Sequence, residues 1–427
     1  MPGASPHPEL WEHVSSLPLI DTHEHIPGEE TAREAGAQLG LFSFFEHYAS
    51  SDLVSAGMSR EALEKMRDPG SGLAPEERWA LMAPFWPMVR HTGYGAAMRE
   101  YMAELFGVEE LDGSNWAELD RRIRAARQKP GWYREVMHDR ANIETALVIR
   151  WPGQPVTVDR ELFRAVPILD HYATPSTRAD LEALERESGR SIQTLAQLMA
   201  AQEAMLDRFT VEGIAAVKIF LAYRRTLQFD VYTRGEASRA FDRIWLSQSM
   251  DLTFSDLKPL QDFMTRRVVA LAAERGLPVQ IHTGLQEGNG NWLENSRPLL
   301  LTSLIMDYPD ARFDLFHAGY PFTGELTALA KYFPNVCADL CWIPAISPGA
   351  AERILDEWID LIPANKIFAV GGDSNYVEGA FGHCLRARRA VCAVLGGRVA
   401  AGTLSLKDAK WLAGRLLGEN ARDFFRL

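Results

Sequence analysis

Short apolar, β-branched runs recur along the chain, and a helical stretch separates each run from the next. Their near-continuous hydrophobic character is typical of parallel strands that are buried on both faces. The runs predict eight strands: Leu17–Asp21, Ile143–Ile149, Ala165–Leu169, Ala215–Leu221, Pro278–His282, Phe313–His317, Asn335–Leu340 and Lys366–Val370. Amphipathic segments lie between them and predict helices, among them Leu257–Arg275, Pro298–Tyr308 and Ala350–Ile362.

Eightfold alternation of strand and helix predicts an α/β fold, a (β/α)8 TIM barrel that takes up residues 1–427 as a single domain. An open doubly wound sheet has the same periodicity and is the alternative fold. The last stretch, Ser405–Leu427, predicts one or two terminal helices that close the barrel.

A long insertion separates the first two predicted strands. It covers residues 27–140, far more than one βα unit needs. Its helix-like pieces are Ala74–Val89, Ala96–Phe106 and Trp116–Gln128. Because loops that leave strand carboxyl ends emerge on one face of a barrel, we expect a helical cap over the barrel mouth. A second helical insertion is predicted around Tyr232–Leu257, after the fourth strand.

The composition excludes several classes of function. The chain has 45 Lys plus Arg against 57 Asp plus Glu, a formal net charge of −12, which argues against broad binding to nucleic acid or to anionic membranes. A hydrophobic share of 47% is ordinary for a globular protein. No run of about 18 apolar residues predicts a transmembrane helix. We expect a small-molecule substrate, and an aromatic-rich insertion could serve a homo-oligomer interface.

Two features predict a cytoplasmic setting. The N-terminal MPGASPHPELW has neither a basic start nor an apolar core, so it does not predict a secretory signal. The four cysteines, Cys337, Cys341, Cys384 and Cys392, lack CxxC spacing. This spacing argues against a zinc ribbon or a disulfide framework and favours buried, reduced thiols.

The strongest local signal is LIDTHEH, which spans residues 19–25. In a strand, residues two apart point to the same side, so His23 and His25 can face one point. Two convergent imidazoles suit a borderline metal such as zinc, at about 2.0–2.1 Å for each nitrogen. An HxH alone is a weak signal, but this one ends the first buried strand, where barrel active sites lie.

Three further strands end in groups of the same kind. His282 lies in VQIHTG, His317 in DLFHAG and Asp373 in VGGDS, each where an apolar strand stops and a glycine-containing loop begins. A single case would fit a core histidine bonded to the backbone. Four coincident cases predict a metal site at the carboxyl ends of the strands. The mixed nitrogen and oxygen ligands favour zinc, with manganese or iron as alternatives.

DTHEH, VKIF, QIHTG, LFHAGYP and GGDS follow one another along nearly the whole chain and resemble the amidohydrolase superfamily of metal-dependent barrels. VKIFLAYRRTL, IHTGLQEGNGN and FHAGYP resemble its FluG-like amidohydrolase branch. The C-terminal GGDSNYVEGAFGH and ENARDFF are similar to uronate isomerase, a member that does not hydrolyse its substrate. The resemblance implies four metal ligands, His23, His25, His282 and Asp373, and one or two divalent ions.

Three residues are candidates for catalysis. Asp373 would accept a proton from a metal-activated water and deliver it to the leaving group. Lys218 is the only charge in the run Ala215–Leu221. The resemblance implies a carboxylated lysine that bridges two metals; the alternative is a buried lysine that contacts a substrate carboxylate or a neighbouring acid. His317 would be a second-metal ligand in the first case and a general acid or base in the second.

Residues beside the strand ends are candidates for substrate binding. Arg150, Arg224 and Arg225 suggest an anionic substrate, because guanidinium groups bind carboxylates bidentately. The alternative for each arginine is a solvated position. Trp342 could form a wall of the pocket or pack in the core. The polar loop Gln286–Asn291 could close over the ligand, and His47 and Tyr48 could reach it from the cap.

These features predict a metal-dependent hydrolase that uses a metal-activated water to cleave an amide, lactone or related carbonyl bond of a small, carboxylate-bearing substrate. A uronate-type sugar-acid isomerase and a metal-assisted decarboxylase are the alternatives on the same scaffold. A catalytically silent binding protein is disfavoured, because such a relative would be free to lose any member of the ligand set.

Overall fold

A computed structural model describes residues 7–36, 38–246 and 252–427. Within these ranges the chain forms eight strands, one at each predicted place: β1 Leu19–Glu24, β2 Ile143–Arg150, β3 Phe163–Pro167, β4 Val217–Ile219, β5 Val279–His282, β6 Phe313–Phe316, β7 Val336–Asp339 and β8 Ile367–Phe368. Nearly every residue in them is buried, as parallel strands covered on both faces require.

The strands form a closed barrel in chain order. Two parallel sheets, β1–β2–β3 and β4 to β8, are joined at both edges. Ile168, just after β3, bridges to Lys218 of β4. The Thr22 amide of β1 donates to the Val370 carbonyl after β8 at 3.1 Å. The predicted (β/α)8 barrel is therefore confirmed, and the open doubly wound sheet is excluded because no edge is left between these strands.

The barrel encloses a polar network. Gln280 of β5 donates across it to the Thr22 carbonyl at 2.9 Å and to Oδ2 of Asp314 at 2.8 Å. Thr22 in turn donates to Asp339 of β7 at 2.5 Å. These side chains are almost wholly inaccessible to solvent. Buried polar groups need such partners, so the network fixes strands β1, β5, β6 and β7 against one another.

In the part of the chain that the structure describes, one α-helix precedes the barrel and eight lie between β1 and β2: α1 Pro8–Ser16, α2 Glu29–Gly36, α3 Tyr48–Ser55, α4 Arg60–Arg67, α5 Pro75–Met82, α6 Trp86–Val89, α7 Gly93–Phe106, α8 Trp116–Gln128 and α9 Trp132–Arg134. The remaining α-helices are α10 Asp170–Ala173, α11 Arg178–Ser188, α12 Leu195–Glu212, α13 Arg234–Leu246, α14 Phe254–Glu274, α15 Thr302–Asp307, α16 Thr323–Tyr332, α17 Ile343–Ile346, α18 Pro348–Leu361, α19 Val377–Ala400, α20 Leu406–Gly414 and α21 Asn420–Phe425.

Several predicted helix bounds need correction. The single helix predicted over Ala74–Val89 is wrong: α5 and α6 are separate, because Pro87 has no N–H to donate and its ring would clash with a preceding helical carbonyl. Pro298–Tyr308 begins as a 3-10 turn before α15. The second insertion contains α13, and its residues 247–251 lie outside the described residues, as do residues 1–6 of the N-terminal segment.

The helices between β1 and β2 reach the carboxyl ends of the strands. The Tyr48 hydroxyl of α3 donates to the Leu285 carbonyl, just after β5, at 3.1 Å. Asn289 in the same loop donates to the Ser51 carbonyl at 3.2 Å. All four cysteines are buried. In the described part of the chain, we find no helix whose length and apolar character would let it cross a membrane.

Candidate metal centre

His23, His25 and Asp373 form the central cluster of the site. Each offers a ligand atom, and these atoms all lie within 4.8 Å of one another. The Nε2 atoms of His23 and His25 lie 3.4 and 3.3 Å from Oδ1 of Asp373. The Asp373 amide donates to the His23 carbonyl at 2.8 Å, so pairing between the end of β1 and the segment after β8 brings the three together.

Two acids, Asp21 and Glu24, bind the backbone on either side of Asp373. No role was predicted for them from the sequence. Glu24 Oε2 accepts the Ser374 amide at 2.7 Å, and Asp21 Oδ1 accepts the Gly372 amide at 3.1 Å. Both acids are fully buried. Both acids lie in DTHEH beside the histidines, and their place in a buried strand end is the signal that could have indicated their role. Together they fix the backbone on both sides of Asp373.

The protonation states suit a cation. Burial opposes ionisation of Asp373, but the charge of His47 and hydrogen bonds from His23 and His25 hold the pKa of its carboxyl well below its usual range. Burial, with the charge of Lys218, lowers the pKa of His25 to about 4 and that of His23 well below its usual value. Neutral imidazoles around a carboxylate are the donor set that divalent metals such as zinc prefer, so the residues present fit a metal.

His282 and His317 lie beside this cluster, with ring centroids 4.4 Å apart. Nε2 of His317 is buried without a hydrogen-bond partner and lies 3.7 Å from Oδ2 of Asp373. Nε2 of His282 donates to the Leu285 carbonyl at 3.0 Å, which leaves Nδ1 with its lone pair. His282 is outside the three-residue cluster, so its role as a metal ligand stays a prediction. The backbone bond on its other nitrogen is the usual orientation of a ligating histidine.

The structure also brings Lys218 to the cluster. It is 1% exposed, and its Nζ lies 3.0 Å from Nε2 of His23. The ammonium group is placed over the rings of Phe220 and Phe316, at 4.9 and 5.0 Å. Burial lowers the pKa of Lys218 to about 8. A fraction of the Lys218 side chains is therefore a neutral amine near physiological pH, as carboxylation requires. The remaining fraction is charged, as contact with a substrate carboxylate requires.

The insertion supplies His47 and Tyr48, as expected for residues of a cap. Nε2 of His47 lies 3.8 Å from Oδ2 of Asp373 and 3.9 Å from Oε2 of Glu287. Its Nδ1 lies 3.1 Å from the hydroxyl of Tyr94, a residue that had no sequence signal. The ring of Tyr48 packs against Trp342, with centroids 4.4 Å apart. Trp342 also lies 5.2 Å from the ring of His317, but it is fully buried and is not among the residues that line the cavity beside Asp373, so its role as a wall of the pocket stays a prediction.

Strained backbone is concentrated here. His47, His317, Trp342 and Asp373 all have left-handed φ angles, of 55°, 68°, 67° and 52°. Such angles are costly for residues other than glycine and persist where the surrounding structure enforces them, commonly at functional sites. The left-handed angle also explains why β6 ends at Phe316 rather than at His317, as the sequence had predicted.

Two neighbouring cavities that share lining residues open beside the cluster. A cavity of about 80 Å³ is lined by His25, His47, Lys218, His282 and Asp373, among others. A larger cavity of about 330 Å³ shares His25, Trp151 and Asn375 with it. Arg150, one of the predicted substrate-binding residues, lines the larger cavity.

Arg224 and Arg225, also predicted to bind substrate, are not brought to the cluster. They line a separate cavity of about 210 Å³ that contains none of the metal-cluster residues. Arg225 is buried and donates to Asp262 of α14 at 2.5 Å, so its charge is already neutralised. Arg224 is exposed. A cation paired within the protein has little to offer a substrate, which corrects the expectation for Arg225.

Comparisons with known proteins agree with this geometry. Residues 245–368 match the family model described as Amidohydrolase. Protein fluG of Emericella nidulans is 28% identical over 242 residues, which cover 54% of this chain. The match spans only 26% of that relative, so the chain spans about a quarter of its length.

Two solved structures share the fold across nearly the whole chain. Uronate isomerase from Thermotoga maritima has a TM-score of 0.79 at 15% identity and covers 98% of this chain and 96% of its own. A candidate metal-dependent hydrolase from Lactobacillus casei has a TM-score of 0.68 at 18% identity and covers 98% of this chain and 97% of its own. The solved structures show the barrel fold, and the family match over residues 245–368 together with the fluG relative supports an enzyme of the amidohydrolase superfamily.

Proposed function

We propose that this enzyme is a hydrolase that cleaves an amide, lactone or related carbonyl bond of a small molecule. The observation that carries the proposal is the buried, ionised carboxylate of Asp373, which faces the imidazoles of His23, His25 and His317. His23, His25 and Asp373 would hold a divalent metal, with zinc as the proposed ion and His282 as a further ligand. When bound, the metal supplies a Lewis acid that lowers the pKa of water and polarises a carbonyl oxygen.

Asp373 is the proposed proton carrier. The carboxylate is ionised at neutral pH, so its oxygens are available to accept a proton from the attacking water. It would then deliver that proton to the leaving group. His47 lies within 4 Å of both Asp373 and Glu287, and the Glu287 side chain is 42% exposed. Asp373, His47 and Glu287 would therefore form a path along which protons released in the reaction pass to solvent.

The remaining residues would orient the substrate and exclude water. His317, whose Nδ1 lies 3.3 Å from the Cys341 carbonyl, has Nε2 free to contact a substrate oxygen. Lys218 would place positive charge beside the same oxygen, or would bridge two metals if carboxylated. The hydrogen bond from Tyr48 to Leu285 closes the insertion against the loop after β5. The cavity beside Asp373 has a volume of about 80 Å³, which leaves little room for bulk water.

Uronate-type isomerisation is the second candidate. The likeness to uronate isomerase extends over 98% of the chain, which supports a common barrel but not a common reaction. A more specific observation is that Asp373 and His47 face one cavity. Two such groups could remove a proton from one carbon and return it to the next. Metal-assisted decarboxylation remains a third reaction for this scaffold.

Product mass separates these reactions. The metal-loaded enzyme would be incubated with candidate uronates, γ-glutamyl amides and lactones, and the products analysed by mass spectrometry. Hydrolysis adds one water, isomerisation leaves the mass unchanged and decarboxylation removes carbon dioxide. Metal analysis of the same sample gives the stoichiometry: a value near two favours a carboxylated Lys218, and a value near one favours a mononuclear site. Absence of a bound transition metal, before and after reconstitution, would exclude all three reactions.

A further inference from the structure

We infer that the 330 Å³ cavity, called here the side chamber, binds a carboxylate of the substrate through Arg150. The inference rests on the proposed function for the reaction that takes place beside the chamber. It adds the substrate class: an amide or lactone derivative of a small dicarboxylic acid, one acid group of which remains free. The chamber volume lies at the lower end of the range for small-molecule sites.

Arg150 is a buried cation without a counter-charge. It ends β2 and is 8% exposed. Its guanidinium makes a single long hydrogen bond, from Nη1 to the Ile26 carbonyl at 3.4 Å, and its Nε is buried without a partner. Among the described residues no carboxylate forms an ion pair with it. Burial of an unpaired charge is strongly unfavourable, so an anion that enters the chamber would gain the pairing that the protein does not provide.

The other charges in the chamber are already paired. Arg127 donates to both oxygens of Glu378, at 3.0 and 3.1 Å. Glu46 lies 3.5 Å from a guanidinium nitrogen of Arg67. Arg150 is therefore the charged residue of the chamber for which the described residues supply no counter-charge, and one negative charge would balance it. A carboxylate supplies one negative charge, and its two oxygens match the planar guanidinium bidentately. A phosphate dianion would bring two negative charges beside Glu46 and Glu378, with Arg150 as the cation that the described residues leave unpaired.

The position of the chamber connects this carboxylate to the reaction. Trp151 follows Arg150 in the chain, and its ring stacks on His25 with centroids 5.7 Å apart. His25, Trp151 and Asn375 line both the chamber and the small cavity beside Asp373. A molecule whose acid group is paired with Arg150 could therefore extend past Trp151 to the metal cluster. Gln154 and Tyr133 add polar groups for other substituents along this path.

Binding of non-hydrolysable dicarboxylates tests the inference without any need for turnover. The dissociation constants of succinate and glutarate would be measured by calorimetry on the metal-loaded protein, with glutaramide and inorganic phosphate as comparison probes. We expect at least one dicarboxylate to bind, more tightly than glutaramide or phosphate. In Arg150→Met its dissociation constant should rise at least tenfold with unchanged metal content, and Arg150→Lys should fall between the two.

Arg225→Met is the matched control, since Arg225 is also a buried arginine but is paired with Asp262. Without ligand, Arg150→Met should melt at a higher temperature than the wild type, because it removes an unpaired charge. Arg225→Met should melt at a lower temperature, because it removes the buried ion pair with Asp262, which then keeps only Lys258 as a cationic partner. These opposite shifts distinguish a binding residue from a structural one.

The inference is overturned if neither dicarboxylate binds the wild type, if Arg150→Met binds as well as the wild type, or if glutaramide or phosphate binds as tightly as the dicarboxylates. A lower melting temperature for Arg150→Met would also overturn it. If the dicarboxylate bound the metal directly and not Arg150, its affinity would be unchanged in Arg150→Met, and that result would overturn the inference. Failure of every hydrolysis assay would count against the proposed function alone and would leave the binding result intact.

Discussion

Nε2 of His47 lies 3.8 Å from Oδ2 of Asp373, although the first residue belongs to the insertion after β1 and the second follows β8. The contact makes the insertion part of the site rather than a cover alone. The hydroxyl of Tyr94 in α7 lies 3.1 Å from Nδ1 of His47, and the loop after β5 places Glu287 3.9 Å from the same Nε2 atom. Three segments therefore have to assemble around the barrel before the site is complete.

His47→Gln should lower kcat by about 10–100-fold and change KM little, because glutamine keeps a polar group but cannot carry a proton. The assay is steady-state kinetics on a substrate found in the product-mass screen. Tyr94→Phe is the control: it removes the hydroxyl 3.1 Å from Nδ1 and should have a smaller effect. Equal kcat for His47→Gln and the wild type would show that Asp373 exchanges protons by another route.

Asp373→Asn should lower kcat by about 10²–10⁴-fold, the range expected when a general acid–base group is removed. The amide cannot accept the proton, and it is a poorer metal ligand. Metal content measured on the same sample separates the two causes: full occupancy with little turnover supports proton transfer, and lost occupancy supports ligation. Activity close to that of the wild type would contradict both roles.

Much of the site could be predicted because barrel geometry is regular. Polar residues at strand carboxyl ends converge in any parallel barrel, so His23, His282, His317 and Asp373 could be assigned to one face from their places after apolar runs. Period-two alternation was enough to pair His23 with His25. Local pattern and overall topology agree at these positions, so the structure brings these residues to one face of the barrel, and their roles there stay predictions.

The residues that escaped prediction depend on contacts that have no local pattern. Tyr94 contacts His47 through the fold of the insertion, and its surrounding sequence is that of an ordinary helix. Arg225 could not be separated from Arg150 by sequence, since both follow strands. The difference is Asp262, a residue of α14 that lies 37 positions further along and neutralises Arg225.

Lys218→Met should raise the pKa of His25 and His282 in the metal-free protein. Burial is the main reason that these values are about 4 and 3, and the charge of Lys218 is the next cause for each. Removal of that charge should move both values toward the ordinary 6.5. Imidazole ¹H–¹⁵N spectra recorded across pH measure the shift, with the partly exposed Lys410→Met as the control. Unchanged titration would mean that Lys218 is neutral, and lower pKa values in the variant would mean that Lys218 carries a negative charge, as a carboxylated lysine does.

Asp314→Asn should stabilise the protein, and more so as pH rises. Burial raises the pKa of Asp314 and of its neighbour Asp339. Each carboxyl therefore binds a proton more readily in the folded protein than in the unfolded chain. The free energy of unfolding therefore falls as pH rises from about 4 toward the raised folded values. Oδ1 of Asp314 accepts no hydrogen bond, so its replacement loses none. The amide of asparagine is neutral at every pH, so it can be buried without taking up a proton.

Denaturant unfolding of Asp314→Asn at pH 5 and pH 8 tests this sign. The gain should be about 1–3 kcal/mol at pH 8 and smaller at pH 5, since each pKa unit corresponds to about 1.4 kcal/mol. Asp310→Asn changes the same charge at an exposed position and should alter stability little at either pH. A gain that is equal at both pH values would mean that packing rather than protonation is responsible.

Gly372→Ala should disrupt the metal cluster. A Cβ at this position would lie 1.9 Å from Oε1 of Glu24. Glu24 cannot move aside without cost, because it is fully buried and its other oxygen accepts the Ser374 amide. The clash would therefore displace the backbone on either side of Asp373. We expect metal affinity to fall at least tenfold, as measured by competition with a chelator, together with loss of activity.

Gly397→Ala is the matched control for this glycine. Gly397 lies in α19, and a Cβ there meets no atom within 4 Å. Alanine costs less conformational entropy than glycine in a helix, so this variant should gain about 0.5–1 kcal/mol and keep full metal affinity. If Gly372→Ala also kept its metal, the segment between β8 and Asp373 would have to be pliant. The left-handed φ of Asp373 would then reflect the loop's own preference rather than constraint by Glu24 and Asp21.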